Sequence, residues 1–313
     1  MRKEFAESIL KLCKKNKKII FLTGDLGFMA LEPIREILGE RFINAGVAEQ
    51  NMVGVAAGLA KQGFIPIVYS IAPFVTYRVL EQIRNDVVLH KLPVIIVGNG
   101  GGYGYGIMGA THHAIEDYGM LNTLKLNTFI PSFDEDVEET LKLIINSKKP
   151  AYLRLGSGIK PEWLHYEKYQ PYRKILKGNK ITIVAAGPVG INAIIASREF
   201  AGKIDLWLIG KTPINEIPEE LISSIKKTGK LISIEEHVDV GGVGEQFVSK
   251  LLELGVNKFE IKRLTAQGYI DGKYGSQQYH QKQSGLDVDS IKLIIKEYLG
   301  DNLFSKKGGY DGI

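Results

Sequence analysis

One carboxylate raises the first chemical question. In "FINAGVAEQNMVGVAAGLAKQGF", Phe42 to Phe64, Glu49 opens a helical stretch of small and apolar residues. An acid in a first helical turn complements the helix dipole, and that role suffices for many such residues. The residues after Glu49 ask for more. Gly54 and Gly58 lie four apart, a spacing that lets two helices approach closely, so this helix is expected to pack against a partner such as a symmetry mate. Burial at such a contact favours the protonated carboxyl, which can exchange a hydrogen bond with a ring nitrogen and act as an acid–base catalyst.

A second candidate is the loop "GNGGGYGYGIMGATHHAIEDYG", which comes after the apolar run "PVIIV". Gly104, Gly106 and Gly109 spell the dinucleotide pattern G-x-G-x-x-G, but they start several residues after the strand, and no acid caps the next strand, "NTFIP". "IVAAGPVG" resembles the same fingerprint with Ala185 at the first glycine. For both, a closely packed strand-to-helix turn is the plainer reading, and no G-K-[ST] follows to make a P-loop. His112 and His113 sit after those glycines, at the C-terminal end of a parallel strand, where α/β folds bind ligands. The alternative is a pair of surface histidines. Adjacent residues point apart and no H-E-x-x-H accompanies them, so no metal site is assigned. In "YSIAPFVTYRVLEQIRND", Phe74, Tyr77 and Leu80 fall at helical spacing. They form a buried helix face, or a flat wall for an aromatic ligand with Arg78 turned toward an anion.

These residues need a scaffold. Apolar, β-branched runs at Lys18–Thr23, Ile65–Tyr69, Pro93–Val97, Asn127–Pro131 and Ala151–Arg154 alternate with helical patterns at Leu31–Leu38, Gln50–Lys61, Val79–Leu89 and Asp134–Ile145. That alternation predicts an α/β domain with a mainly parallel sheet. A polar, aromatic stretch from Gly156 to Lys180 reads as a linker. A second α/β pattern succeeds it, with strands at Ile181–Ala185, Ile204–Leu208, Lys230–Glu235 and Lys258–Lys262, and helices at Ile191–Phe200, Pro218–Lys227 and Val243–Leu254. The expected division is 1–157, a linker at 158–178, 179–300, and a flexible tail at 301–313.

Composition narrows the class. The 313 residues are 44% hydrophobic and 24% charged, with a net charge of +5, as in an ordinary soluble domain pair. No basic run interleaves with aromatics, so nucleic acid is not an expected partner. No apolar run reaches membrane-spanning length, and "MRKEFAESILKLCKKN" is an amphipathic helix rather than a signal peptide. The single cysteine, Cys13, forms no internal disulfide. A cytoplasmic protein is expected.

Together the motifs form an ordered set. "GVAEQNMVGVAAGLAKQGFIPIVYS", "LEQIRND", "KLPVIIV", "GATHHAIEDYGML", "IPSFDEDVEE" and "PAYLRLG", followed by "ITIVAAGPVG" and "SIEEHVDVGGVGEQF", resemble the C-terminal half of transketolase; 1-deoxyxylulose-5-phosphate synthases share the order. The resemblance covers nearly all of Ile20 to Leu254. It implies two three-layer αβα domains, a pyrimidine-binding one and a C-terminal one, and dependence on thiamine diphosphate and Mg²⁺. The family's metal–diphosphate motif begins G-D-G. This chain has "GDL" at Gly24 and "DGK" at Asp271 instead. The resemblance therefore implies a split enzyme whose N-terminal subunit carries that motif. The implied assembly is a heterotetramer, α2β2, with a homodimer contact through the helix after Glu49.

Residue by residue, the cofactor-activating acid falls on Glu49, which would hydrogen-bond N1′ of the aminopyrimidine and favour its imino form. Phe74 falls on the aromatic stacked against the pyrimidine, Tyr77 on a nearby ring position, and Ile71 near the other usual aromatic. Asp25, in "GDLG", falls on an acid lining the cleft. His112 falls on the histidine that contacts the donor sugar's hydroxyls, and His113 resembles the second histidine of the deoxyxylulose synthase version. Several sugar-phosphate contacts are replaced: an aspartate by Ile107–Met108, a histidine near Gly100, an arginine at Ile130 and a serine near Met29. Arg78 and Arg154 are the cations left for substrate. The implied reaction is transfer of a two-carbon ketol unit from a ketose to an aldose, with a non-standard acceptor such as a modified or nucleotide-linked sugar. Rivals are a deoxyxylulose-phosphate-synthase-like reaction using pyruvate, the β subunit of a 2-oxo acid dehydrogenase, an NAD-binding oxidoreductase and a non-catalytic scaffold.

Overall fold

The computed structural model describes residues 1–27, 31–165 and 168–300. The first half holds α1 (Arg2–Lys15), β1 (Ile19–Thr23), α2 (Glu32–Leu38), β2 (Phe42–Asn44), α3 (Glu49–Lys61), β3 (Ile65–Ile71), α4 (Ala72–Thr76) and α5 (Leu80–Gln82). It continues with β4 (Ile95–Asn99), α6 (Asp117–Thr123), β5 (Asn127–Phe129), α7 (Asp136–Ser147) and β6 (Ala151–Leu155). Then come β7 (Tyr172–Leu176), β8 (Gly178–Ala186), α8 (Gly190–Ser197), β9 (Gly202–Ile209), β10 (Lys211–Thr212), α9 (Glu219–Thr228) and β11 (Lys230–Glu235). The described chain ends with α10 (Val243–Glu253), β12 (Glu260–Leu264), α11 (Gln277–Gln283) and α12 (Val288–Leu299).

Two sheets result, ordered β10-β5-β6-β4-β3-β1-β2 and β12-β11-β8-β9-β7. Their pairings are parallel except β10 with β5 and β7 with β9, which are antiparallel. Period-two side chains explain why helices cover both faces. From β1, Ile19 and Phe21 enter a core with Phe5 and Ile9 of α1 and Leu141 of α7, whereas Ile20 and Leu22 enter one with Met52 and Ala56 of α3. In β8, Ile183 and Ala185 pack with α8 and α12, whereas Val184 packs with Leu221 of α9 and Phe247 of α10. Each half is thus a three-layer αβα unit, as expected.

Several local expectations change. The stretch read as a linker contains β7, whose residues pair with Leu206–Ile209 of β9. The helix expected at Val79–Leu89 is α5 continued by a π-helical turn, Ile83–Val88. β2 and the two-residue β10 are too short to carry a periodic signal. The tail at 301–313 lies outside the described residues. Among the described residues, no helix is long and apolar enough to cross a membrane.

The halves meet through buried polar groups. Tyr118 donates to Glu235 Oε2, and the Glu235 carboxylate also receives the backbone N–H groups of Val243 and Gly244 at the start of α10. Burial pushes the Glu235 carboxyl up to about 7. The His237 ring stacks on Tyr118 at 3.8 Å, its Nε2 accepts from Gly119 N at 3.0 Å, and its Nδ1 lies 2.7 Å from Val238 O. Burial pulls its pKa down from 6.5 to about 4. Between those values the folded chain binds fewer protons at this group than the unfolded one, so the stability contribution is lost as pH falls from 6.5 toward 4. The stability advantage of the native chain over His237→Gln is therefore expected to shrink across that window by roughly 3 kcal/mol. Denaturant midpoints at a series of pH values would measure it, and a constant difference would refute it.

Candidate functional site

The parallel order places the C-terminal ends of β1, β3 and β4 side by side. Strand order reverses beside β1, and such switch points are where α/β sheets hold ligands. Gly24 and Asp25 follow β1; Ile71 ends β3; the glycine-rich loop follows β4. Glu49, the first residue of α3, reaches into the same space and is only 3% exposed. A Cβ on Gly24 would lie 3.3 Å from Gly46 O and 3.6 Å from Glu49 Oε1, so the absence of a side chain there lets the chain pass close to the acid.

Around Glu49 the groups are specific. Ser70 Oγ donates to Oε1 at 3.4 Å, and Arg78 Nη1 donates to Oε2 at 2.8 Å. The Arg78 guanidinium also lies over the Phe74 ring, 4.5 Å from its centre. The opposite neighbour of Phe74 is His112, edge-on at 5.2 Å. Thr111 Oγ1 stands 3.0 Å from His112 Nδ1. Pro73, in the first turn of α4, is what brings Phe74 so soon after the end of β3: it fits where no backbone donor is needed and lets the helix start at once. Glu49, Phe74, Arg78 and His112 therefore form one cluster. A planar, nitrogen-bearing ring fits between such a carboxylate and such an aromatic face. Arg78 makes both of those contacts here, so its expected role toward a substrate anion is not the one its geometry displays.

The other expected residues divide. Ile71 lies half-buried at the strand end. Tyr77 donates to Glu116 Oε2 at 2.7 Å and accepts from Glu116 N, which ties its hydroxyl to the loop after His113. Asp25 is exposed on the rim and accepts from Asn44 Nδ2 at 3.3 Å. His113 is 2% exposed and turns away from Phe74, toward Tyr103, Tyr269 and His280.

Arg154 requires a correction. It is 4% exposed and its Nε donates to Asp117 Oδ2 at 2.9 Å, while Nη2 donates to Ala114 O and Glu236 O. Tyr152 donates to the same Asp117 oxygen. The guanidinium is thus enclosed by the seam between the halves rather than facing a cleft. Gly101 must be glycine for it to fit, because a Cβ would sit 2.5 Å from Arg154 Cγ. Gly102, at φ +67°, would push a side chain into Glu236. The glycines of the G-x-G-x-x-G pattern are likewise packing positions: a Cβ on Gly106 would meet Gly275 O at 2.6 Å. The loop lies against the second half, which leaves no cradle for a pyrophosphate. The substituted Met29 lies outside the described residues.

Sequence reasoning passed over Ser70, Glu116, Asp117, Glu236 and His280. Glu236 had a signal, as one of two adjacent acids ending a strand in "SIEEH". It is 4% exposed and accepts from Tyr103 N, Gln277 and Gln281. Burial raises its pKa. His280, in the polar run "QQYHQKQ", had none.

Known proteins share these two domains. Residues 1–159 match the family model for the transketolase pyrimidine binding domain, and residues 172–291 match that for the transketolase C-terminal domain. One subunit of the apulose-4-phosphate transketolase of Phocaeicola vulgatus is 32% identical over 260 residues, covering 80% of this chain and 83% of that protein. The 1-deoxy-D-xylulose-5-phosphate synthase of Clostridium perfringens is 31% identical over 306 residues, 94% of this chain but 48% of that one, so the chain spans about half its length. A solved structure described as a split gene transketolase, inactive beta4 tetramer, superposes with a TM-score of 0.82 at 27% identity, covering 96% of this chain and 98% of that one.

Proposed function

The chain belongs to the transketolase family, and on that premise we propose that it is the C-terminal subunit of a split, thiamine-diphosphate-dependent transketolase. It moves a two-carbon ketol unit from a ketose to an aldose acceptor. The observation that carries this reading is the Glu49 cluster: a carboxylate 3% exposed, joined to the Phe74 face through Arg78, with His112 beside it. Relatives named as split subunits support the division into two polypeptides.

Thiamine diphosphate, when bound, supplies a nucleophilic carbon able to cleave and remake a bond next to a carbonyl. Glu49 holds and moves a proton at the ring nitrogen of the pyrimidine. Phe74 and Ile71 form the apolar wall on which that ring rests, with Tyr77 beside them. Arg78 releases Oε2 when the ring takes its place, and it is free to do so because its side chain is 44% exposed. His112 contacts the hydroxyls of the donor, and Asp25 lines the rim. A second polypeptide bearing G-D-G holds the diphosphate and Mg²⁺. The contact between copies runs along α3, where Gly54 and Gly58 face open space and Val47, Val55 and Leu89 are exposed, giving an α2β2 assembly. The functional domains are 1–157 and 179–300, and the enzyme works in the cytoplasm.

The test is reconstitution. Mixed with the partner subunit, thiamine diphosphate and Mg²⁺, this chain is expected to support ketol transfer from a ketose. Alone it is expected to show none. Transfer by the chain alone would overturn the split-enzyme reading. A second reading, a synthase reaction using pyruvate, is favoured by the 31% identity to the Clostridium perfringens enzyme. Pyruvate consumption in the same mixture would select it.

A further inference from the structure

Behind the His112 loop lies a cavity of about 100 Å³, lined by His113, His280, Tyr269, Lys273, Tyr274 and Gly109. It is built from both halves of the chain. Two features mark it as a ligand site. His113 is 2% exposed and His280 7%, yet His113 Nδ1 and His280 Nε2 are buried with no hydrogen-bond partner. Buried polar atoms are ordinarily satisfied, and an orphaned one is costly unless something occupies its open side. The cavity is also far roomier than the roughly 10–15 Å³ that a single water needs.

The rings are held firmly. His113 and His280 meet edge-on at 4.7 Å; Tyr103 stacks on His280 at 5.1 Å and Tyr269 on His113 at 5.6 Å. Glu236, gripping Gln277 and Gln281 on either side of His280, fixes α11 against the loop after β4. His113 Nε2 lies 3.5 Å from Gly106 O, which places the ring proton there and leaves Nδ1 as an acceptor. An acceptor in a pocket calls for an O–H or N–H.

The surroundings choose among ligand classes. Burial lowers the His113 pKa, so its ring is neutral at physiological pH. The acid in the cavity wall, Asp271, accepts from Tyr279 and from Lys273 N, and its charge offsets that of Lys273. The wall thus carries no net cation for a phosphate. Among the described residues, no three metal-donor groups are arranged to hold an ion. Neutral imidazoles beside tyrosine rings suit a hydroxylated carbon chain, whose O–H groups pair with nitrogen and whose C–H faces lie on aromatic surfaces. The cavity adjoins the candidate site: His112 touches Phe74 while its neighbour His113 faces the other way, so the segment Gly109–His113 is a shared wall.

Resting on the transketolase reading, we propose that this cavity binds the uncharged, hydroxylated end of the sugar substrate, with His113 Nδ1 and His280 Nε2 as its hydrogen-bonding groups. The second half of the chain then takes part in choosing the sugar, through a histidine on α11.

The chain has six histidines, few enough for each ring to be followed by NMR on the full chain with ¹³C-labelled histidine. D-ribose and ribitol are expected to shift the Cε1–H signals of His113 and His280 saturably in the millimolar range. Those two signals are assigned by their loss in His113→Asn and His280→Phe. Inorganic phosphate is expected to leave them in place. His280→Phe removes an unpartnered polar atom, so it should fold with an unchanged melting temperature and lose at least tenfold in ribitol affinity. Silence with both polyols, a response to phosphate alone, or full ribitol affinity in His280→Phe would each overturn the proposal. These signals do not depend on turnover, so a failed reconstitution with intact shifts would count against the proposed function and not against the cavity.

Discussion

Glu49→Gln is expected to lower ketol transfer by about 10²–10⁴-fold, the usual range for loss of a positioned proton-transfer group. Glutamine keeps the size and one carbonyl acceptor, but it has no titrating proton to exchange with a ring nitrogen. The fold should survive. The Glu49–Arg78 pair has one nearly buried member, 3% exposed, and one at 44%, so solvent screens it. Its loss should take about 1 kcal/mol or less from stability and move the melting temperature by no more than about 4 °C. The assay needs the partner subunit, thiamine diphosphate and Mg²⁺, with melting curves run alongside. Activity within tenfold of the native enzyme would remove Glu49 from the chemistry. Loss of activity together with loss of the folded state would reduce it to a structural acid.

The largest stability effect is expected at Arg154. Arg154→Met leaves the Asp117 carboxylate, 0% exposed, with Tyr152 as its hydrogen-bond donor and with Oδ1 already unpartnered. Removing one member of a buried ion pair strands the other charge, and the expected destabilisation is about 3–5 kcal/mol. The links from Nη2 to Ala114 O and Glu236 O go with it, which loosens the seam between the halves. Equilibrium unfolding in denaturant gives the number. A double variant, Arg154→Met with Asp117→Leu, should recover much of the loss, because neither charge then remains buried. A single variant with near-native stability but a raised KM for an anionic sugar would restore the substrate role that the arginine's type suggested.

Legibility from sequence followed the range of the interactions. Strands β1, β3, β4, β6, β8, β9 and β11 announce themselves because each is a short apolar run with side chains needed on both faces. Glu49 was visible for a similar reason: an acid among small residues is a local contrast. Phe74 and His112 were found through the order of motifs, and the structure brings them together at 5.2 Å. Short pieces escaped. β10, two residues long, exists because it adds to the edge of a sheet built by the other half of the chain. No local pattern carries that.

The arginines show where residue type stops informing. Arg78 and Arg154 are the same amino acid and carry the same expectation from sequence. Arg78 is on the rim against Glu49; Arg154 is sealed under the glycine loop with Asp117, 37 residues away in the chain. The two histidines divide likewise, one against Phe74 and the other in a cavity completed by His280 from the far end of the chain. Hydrophobic period and motif order, which are properties of neighbouring residues, were enough for the family, the αβα layers and the activating acid. Which charges are paired, which ring nitrogens are left without partners and what the glycines make room for depend on segments that meet only when the halves close on each other. Burial and partner geometry are set there, so those assignments had to wait for the folded chain.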